Sequence, residues 1–117
     1  MLQNWLSPIK NPTLTDEKNY KSYQFRNCIK IYINEIPNLE DCKIAIIGIE
    51  EAEADSVRAV LYQTNHAFEE QVIADLGNVR KKDHSFLIPV IEELLNSNII
   101  PILIGQKIDY TLSLIHI

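Results

Sequence analysis

The run Ile99-Ile100-Pro101-Ile102-Leu103-Ile104-Gly105 constrains the chain most. Six of its seven residues are apolar or proline, and a glycine closes it. A segment with no polar side predicts a strand buried on both faces, the pattern of a parallel sheet covered by helices. In open sheets of that kind, ligands gather beyond the carboxyl ends of the strands. The loop that begins at Gly105 therefore lies on the edge where a site belongs.

The rest of the chain alternates in the same sense. Lys43-Ile44-Ala45-Ile46-Ile47-Gly48-Ile49 is a continuous apolar run rich in β-branched residues, and residues 71–77 form a third run ending at Gly77. Residues 29–33 alternate strictly, as an edge strand with one wetter face does. A helix follows the second strand, with Glu50, Glu51, Glu53 and Asp55 crowding its start, where the macrodipole favours carboxylates. Val57, Val60, Leu61 and Phe68 fall at helical spacing behind them. A second helix spans 85–97, with Ser85 as its N-cap and Pro89 in its first turn. Its core-facing stripe is Leu87, Ile88, Ile91, Leu94 and Leu95. Residues 34–41 and 78–84 read as loops, and Asp109 as the cap of a last helix over 110–116.

The order β-β-α-β-α-β-α predicts an α/β fold, with a mainly parallel sheet and right-handed helical crossovers. Ahead of it, residues 1–28 carry Pro8 and Pro12, each of which disfavours helix in the residue before it. They read as an extended or loosely packed N-terminal arm, with Trp5 and Leu6 as anchors and a helical turn near 15–23. The division is an arm at 1–28 and an α/β unit at 29–117.

A chain of 117 residues builds one modest domain, and a net charge of −5 without a basic run argues against nucleic-acid or anionic-membrane binding. No stretch has the length of a membrane span, and the N-terminus lacks the pattern of a signal peptide. Cys28 and Cys42 have no CxxC spacing, which predicts free, buried thiols in a reducing cytoplasm. The sequence stops in the apolar segment Leu112-Ser113-Leu114-Ile115-His116-Ile117. Unpaired apolar surface invites association, so the expectation is either a fragment of a longer protein or a tail covered in a homo-oligomer.

Candidate chemistry is sparse. Gly48, Gly77 and Gly105 each fall at the carboxyl end of a predicted strand, suited either to ending the strand or to close approach of a ligand. They are too far apart for a dinucleotide fingerprint, and neither a P-loop nor a nucleophile elbow is present. The acidic group at 50–55 reads as a solvated first helical turn, with a divalent-cation site as the sharper alternative. Asp75 sits in an apolar strand and needs a partner there, whether it orients a loop or does chemistry. His66, His84 and His116 lie apart, without metal-ligand spacing. Arg58 and Tyr62, one helical turn apart, read as packing and surface pairing.

Four segments, taken in order, resemble a known family. Ile44-Ala45-Ile46-Ile47-Gly48-Ile49, Val57-Arg58-Ala59-Val60-Leu61-Tyr62, Ala74-Asp75-Leu76-Gly77-Asn78-Val79 and Ile100-Pro101-Ile102-Leu103-Ile104-Gly105 look like the N-terminal part of the ureohydrolases. This is the arginase, agmatinase and formimidoylglutamase superfamily, and the formimidoylglutamase-like branch is the nearest in pattern. The resemblance implies part of a three-layer α/β/α sandwich. It also implies a hydrolase of guanidino or formimino C–N bonds that works with two Mn²⁺ ions, which lower the pKa of bound water. The family's first metal ligand is the histidine of a Gly-Gly-x-His segment. Here that segment reads Gly105-Gln106-Lys107-Ile108, followed by Asp109, and Ile108 has no lone pair for a metal. The family's later Asp-x-His-x-Asp ligands have no counterpart in these residues. The expectation is therefore no catalytic residue, no metal ligand and no cofactor in this chain itself, with a small-molecule substrate only for an active parent protein. The other expectation open at this point is a small oligomeric α/β interaction module. A binder of small molecules along the glycine-lined edge is a third.

Overall fold

In the computed structural model, which describes residues 2–65 and 72–105, the apolar runs form one sheet. Its strands are β1 (Leu6–Ser7), β2 (Lys30–Ile31), β3 (Ile44–Gly48), β4 (Ile73–Val79) and β5 (Ile100–Ile104). The helices are α1 (Pro12–Thr15), α2 (Phe25–Cys28), α3 (Glu51–Leu61) and α4 (His84–Asn96). The sheet runs β1-β4-β3-β5, and β2 also pairs with β4. The β2–β4, β3–β4 and β3–β5 pairs are parallel, and only β1 runs antiparallel. The fold is thus α/β with a mixed, mostly parallel sheet.

Strand alternation divides the core between two faces. Ala45, Ile47, Ala74 and Leu76 point to the face covered by Leu87, Val90 and Leu94 of α4. Ile46 and Ile73 point to the other, where Leu14, Phe25 and Tyr62 pack. The residues before β2 are more than an arm. Leu2, Leu6, Ile9, Leu14 and Phe25 are buried, and β1 joins the sheet at Leu6↔Val79 and Ser7↔Asn78. Proline supports this layout. Asn11 caps α1 by accepting from Thr13 N, and Pro12 takes the first helical position, where its missing N–H is not needed. The helical turn expected near residue 15 is a 3₁₀ turn at Glu17–Asn19, capped by Asp16.

Several expectations change in three dimensions. The alternating segment at 29–33 contributes only a two-residue strand, paired on the outer side of β4. β4 does not end at Gly77 but runs on through Asn78 and Val79, because β1 supplies a partner there. Asp83, not Ser85, caps α4 by accepting from Ser85 N, so Pro89 lies in the helix interior rather than in its first turn. On α4 the buried residues are Leu87, Val90 and Leu94, while Leu95 is exposed.

The largest change concerns the strand expected to be buried on both faces. β5 is not buried on both faces among the described residues, since Ile100 is 62% and Ile102 43% exposed. Leu103 packs beneath α4, but β5 is the last strand on its side of the sheet, and no described element lies over Ile100 and Ile102. On α3, Val57 and Val60 face outward, and Val60 is 70% exposed. The buried positions are instead Ala54 and Arg58, with Tyr62 just beyond the helix end. Their spacing of four residues places them on one side of the helix.

Candidate functional site

Asp75 explains why α3 turns a charged residue inward. Its side chain is fully buried on β4, and an ionised carboxylate there needs countercharge and donors. Arg58, also fully buried, supplies both. Its Nε donates to Asp75 Oδ2 at 2.8 Å and its Nη2 to Oδ1 at 3.0 Å, a bidentate pair. The Tyr62 hydroxyl donates to Oδ2 at 2.5 Å, and the Gly77 N–H donates to Oδ1 at 3.2 Å. Each carboxylate oxygen thus accepts two hydrogen bonds. The remaining Arg58 donors reach the Gly77 carbonyl at 2.7 Å, Asn78 Oδ1 at 2.8 Å and Asp55 Oδ1 at 3.2 Å.

The electrostatics follow from this geometry. Burial opposes the Arg58 charge, but the charge and hydrogen bonds of Asp75 outweigh it and hold the guanidinium above its usual range. Burial, and then the neighbouring Asp75 charge, push the Tyr62 phenol well above its ordinary value. The cluster is a network in which Arg58 joins Asp75 and Asp55, and its output is positional. It ties α3 to the carboxyl half of β4 and fixes the backbone at Gly77 and Asn78.

The glycines serve that closeness. A Cβ at Gly48 would lie 2.0 Å from Asn78 Oδ1, so only glycine lets the Asn78 amide reach Arg58 across β3. Between β3 and β4 the register slips, with Ile46 opposite Asp75 but Gly48 opposite Asn78. β4 therefore carries an extra residue, a β-bulge, and Gly77 takes it up at φ 79°. Gly105 closes on the backbone of Ala54 in α3. All three approach protein rather than open space.

Beyond the network, at the carboxyl ends of β3 and β4, lies a cleft of about 690 Å³. Lys10, Arg80 and Lys82 line it together with Glu50 and Glu51 from the start of α3, and Asn78 forms part of its wall. Glu50 is held by Lys82 at 2.6 Å. Arg80 is anchored through Nε, which donates to the Leu6 carbonyl at 2.9 Å.

The residues singled out from sequence fall into three groups. Asp75, Arg58 and Tyr62 come together, and the surface-pairing expectation for Arg58 and Tyr62 is overturned by their burial. The acidic residues do not converge. Glu51 and Glu53 stand exposed in the first turn of α3, Glu50 pairs with Lys82, and Asp55 with Arg58. Among the described residues no group of three His, Cys, Asp or Glu side chains gathers as metal ligands. Cys42 is buried as expected, whereas Cys28 is exposed; both are free thiols. His84 opens α4. His66, His116 and the segment Gln106, Lys107, Ile108 and Asp109 lie outside the described residues. Lys10, Arg80 and Asn78 were not legible as a group, because only the pairing of β1 with the end of β4 brings them together.

The one fully buried carboxylate, Asp75, has both oxygens engaged by Arg58, Tyr62 and Gly77, and Glu50 is engaged by Lys82. No helix among the described residues is long and apolar enough to cross a membrane. In comparisons with family models, curated proteins and solved structures, nothing matches this chain.

Proposed function

We propose that this chain is the N-terminal α/β portion of a ureohydrolase-like protein, of the class that hydrolyses guanidino or formimino C–N bonds. In this reading residues 1–117 position the sheet and do not form a catalytic centre of their own. The observation that supports it is the placement of the four resembling segments. They fall in order on β3, α3, β4 and β5, with β3, β4 and β5 adjacent and parallel and Gly105 directly after the last. The finer architecture, part of an arginase-like three-layer sandwich, is compatible with α4 on one sheet face and Tyr62, α1 and α2 on the other. Two free thiols suit a reducing cytoplasm.

Calorimetric titration of Mn²⁺ into the purified chain tests this. The expected result is no stoichiometric binding, unchanged in Ile108→His, because one added ligand does not make a site. Stoichiometric micromolar binding to the unaltered chain would overturn the reading.

One observation favours a second reading, a small homo-oligomeric interaction module without catalysis. Ile100, Ile102, Val57 and Val60 are large apolar side chains left exposed on β5 and α3, and exposed apolar surface of this kind marks association sites.

A further inference from the structure

We propose that the cleft at the carboxyl ends of β3 and β4 binds a small oxyanion, the carboxylate or phosphate group of a metabolite-sized ligand. The proposal does not depend on the ureohydrolase reading. Its donors are Lys10, Asn78, Arg80 and the start of α3, whichever family the sheet belongs to.

The first observation is Asn78. Only 4% exposed, it lines the cleft while its Oδ1 accepts from Arg58 Nη1 at 2.8 Å. That bond assigns the other amide atom, Nδ2, as a donor, and Nδ2 has no hydrogen-bond partner among the described residues. Buried donors are rarely left unmatched, and the cleft is where an acceptor fits. Asn78 cannot turn away to satisfy itself, because Arg58 holds its oxygen and Gly48 opposes it on β3.

The second observation is the start of α3. Glu50 occupies the N-cap position of this eleven-residue helix, and its side chain does not cap the first-turn N–H groups. The N-terminal end of a helix favours negative charge.

The third is the balance of side chains. Lys82 and Glu50 neutralise each other. Glu51 then stands against both Lys10 and Arg80, leaving one positive charge in excess. Lys10 has no hydrogen bond or ion pair with a described residue. The Arg80 guanidinium is fixed by its Nε bond to Leu6, which leaves its terminal nitrogens as oriented donors. Phosphate and carboxylate oxygens match such donors, whereas a cation would meet a preponderance of positive charge.

The test is a titration of the full chain with inorganic phosphate and, separately, with acetate. Ionic strength is held constant with chloride, and the Asn78 side-chain amide and the first-turn amides of α3 are followed by NMR. Saturable, single-site shifts with at least one of the two anions are expected. Phosphate alone, acetate alone or both identifies the ligand group. Lys10→Glu, which disturbs no described bond, should weaken binding about tenfold with an otherwise unchanged amide spectrum. The proposal is overturned if neither anion saturates, if chloride produces the same shifts, or if Lys10→Glu binds as tightly as the parent.

Discussion

Arg58 and Asp75 are both fully buried, and a buried pair of this kind is asymmetric in its energetics. Its net stabilisation against an apolar replacement is small, yet removing one partner leaves an uncompensated charge in the interior. Asp75→Asn keeps the shape but deprives Arg58 of its counterion. It should lower unfolding free energy by about 3–5 kcal/mol, measured by urea denaturation. Tyr62 adds a pH dependence with a definite sign. Its folded-state pKa lies above the ordinary value of 10.0, first through burial and then through Asp75. Below that value Tyr62 is neutral in both states and its contribution is fully present. Above it the unfolded chain releases a proton that the folded chain retains, so stability falls as pH rises. Urea midpoints should decline from pH 9 to pH 11, and the decline should be shallower in Tyr62→Phe. Equal slopes in the two proteins would refute a role for this phenol. Asp75's need for a partner was legible in the sequence, since a carboxylate within an apolar strand demands one. The identity of that partner was not. Arg58 sits in an ordinary exposed-looking helical pattern, and only the packing of α3 against β4 shows it turned inward.

Among the elements, β4 carries the most structural information. It is the one strand with partners on both sides that differ in direction, β3 and β2 parallel and β1 antiparallel. The bulge at Gly77 separates the stretch that pairs with β2 from the stretch that pairs with β1. A side chain there meets two obstacles: a positive φ of 79°, and the Ser7 carbonyl 2.1 Å from the Cβ position. Gly77→Ala should therefore destabilise the chain by at least about 2 kcal/mol. It should also detach β1 first, seen as early hydrogen exchange at the Arg80 amide, which bonds the Trp5 carbonyl at 2.9 Å. The same strand shows why helix α3 reads wrongly as a sequence. Val57, Val60 and Leu61 fall at helical spacing, but only Leu61 packs against the core; β4 offers a carboxylate to that helix, and a charge demands its partner more strongly than a valine demands burial.

At the scale of the molecule, β3 and β4 are covered, while on β5 Ile100 and Ile102 are left exposed among the described residues. Ile100 and Ile102 stand on the strand that ends the sheet among the described residues, a combination that invites another chain. If that edge mediates self-association, sedimentation should show mass rising with concentration. Ile102→Lys should return the chain to monomer without lowering its melting temperature, since the replaced side chain is 43% exposed. A monomer at every concentration in the unaltered chain would remove the second functional reading.

The sequence by itself determined the class of structure. Isoleucine-rich runs at 44–49 and 100–104 and the largely apolar run at 73–77 specify strands, and the helical patterns between them make the strands parallel. These are local properties, carried by neighbours in the chain. Tertiary structure alone decided which sides of those elements are inside, how far β4 extends and what its carboxyl end presents. Those outcomes depend on residues distant in sequence: Leu6 pairs with Val79, Arg58 with Asp75, and Lys10 and Arg80 come to line one cleft. Periodicity reports how apolar a side is, but not which partner it will meet, and here a single buried carboxylate turns Arg58 of α3 inward while Val57 and Val60 stay exposed.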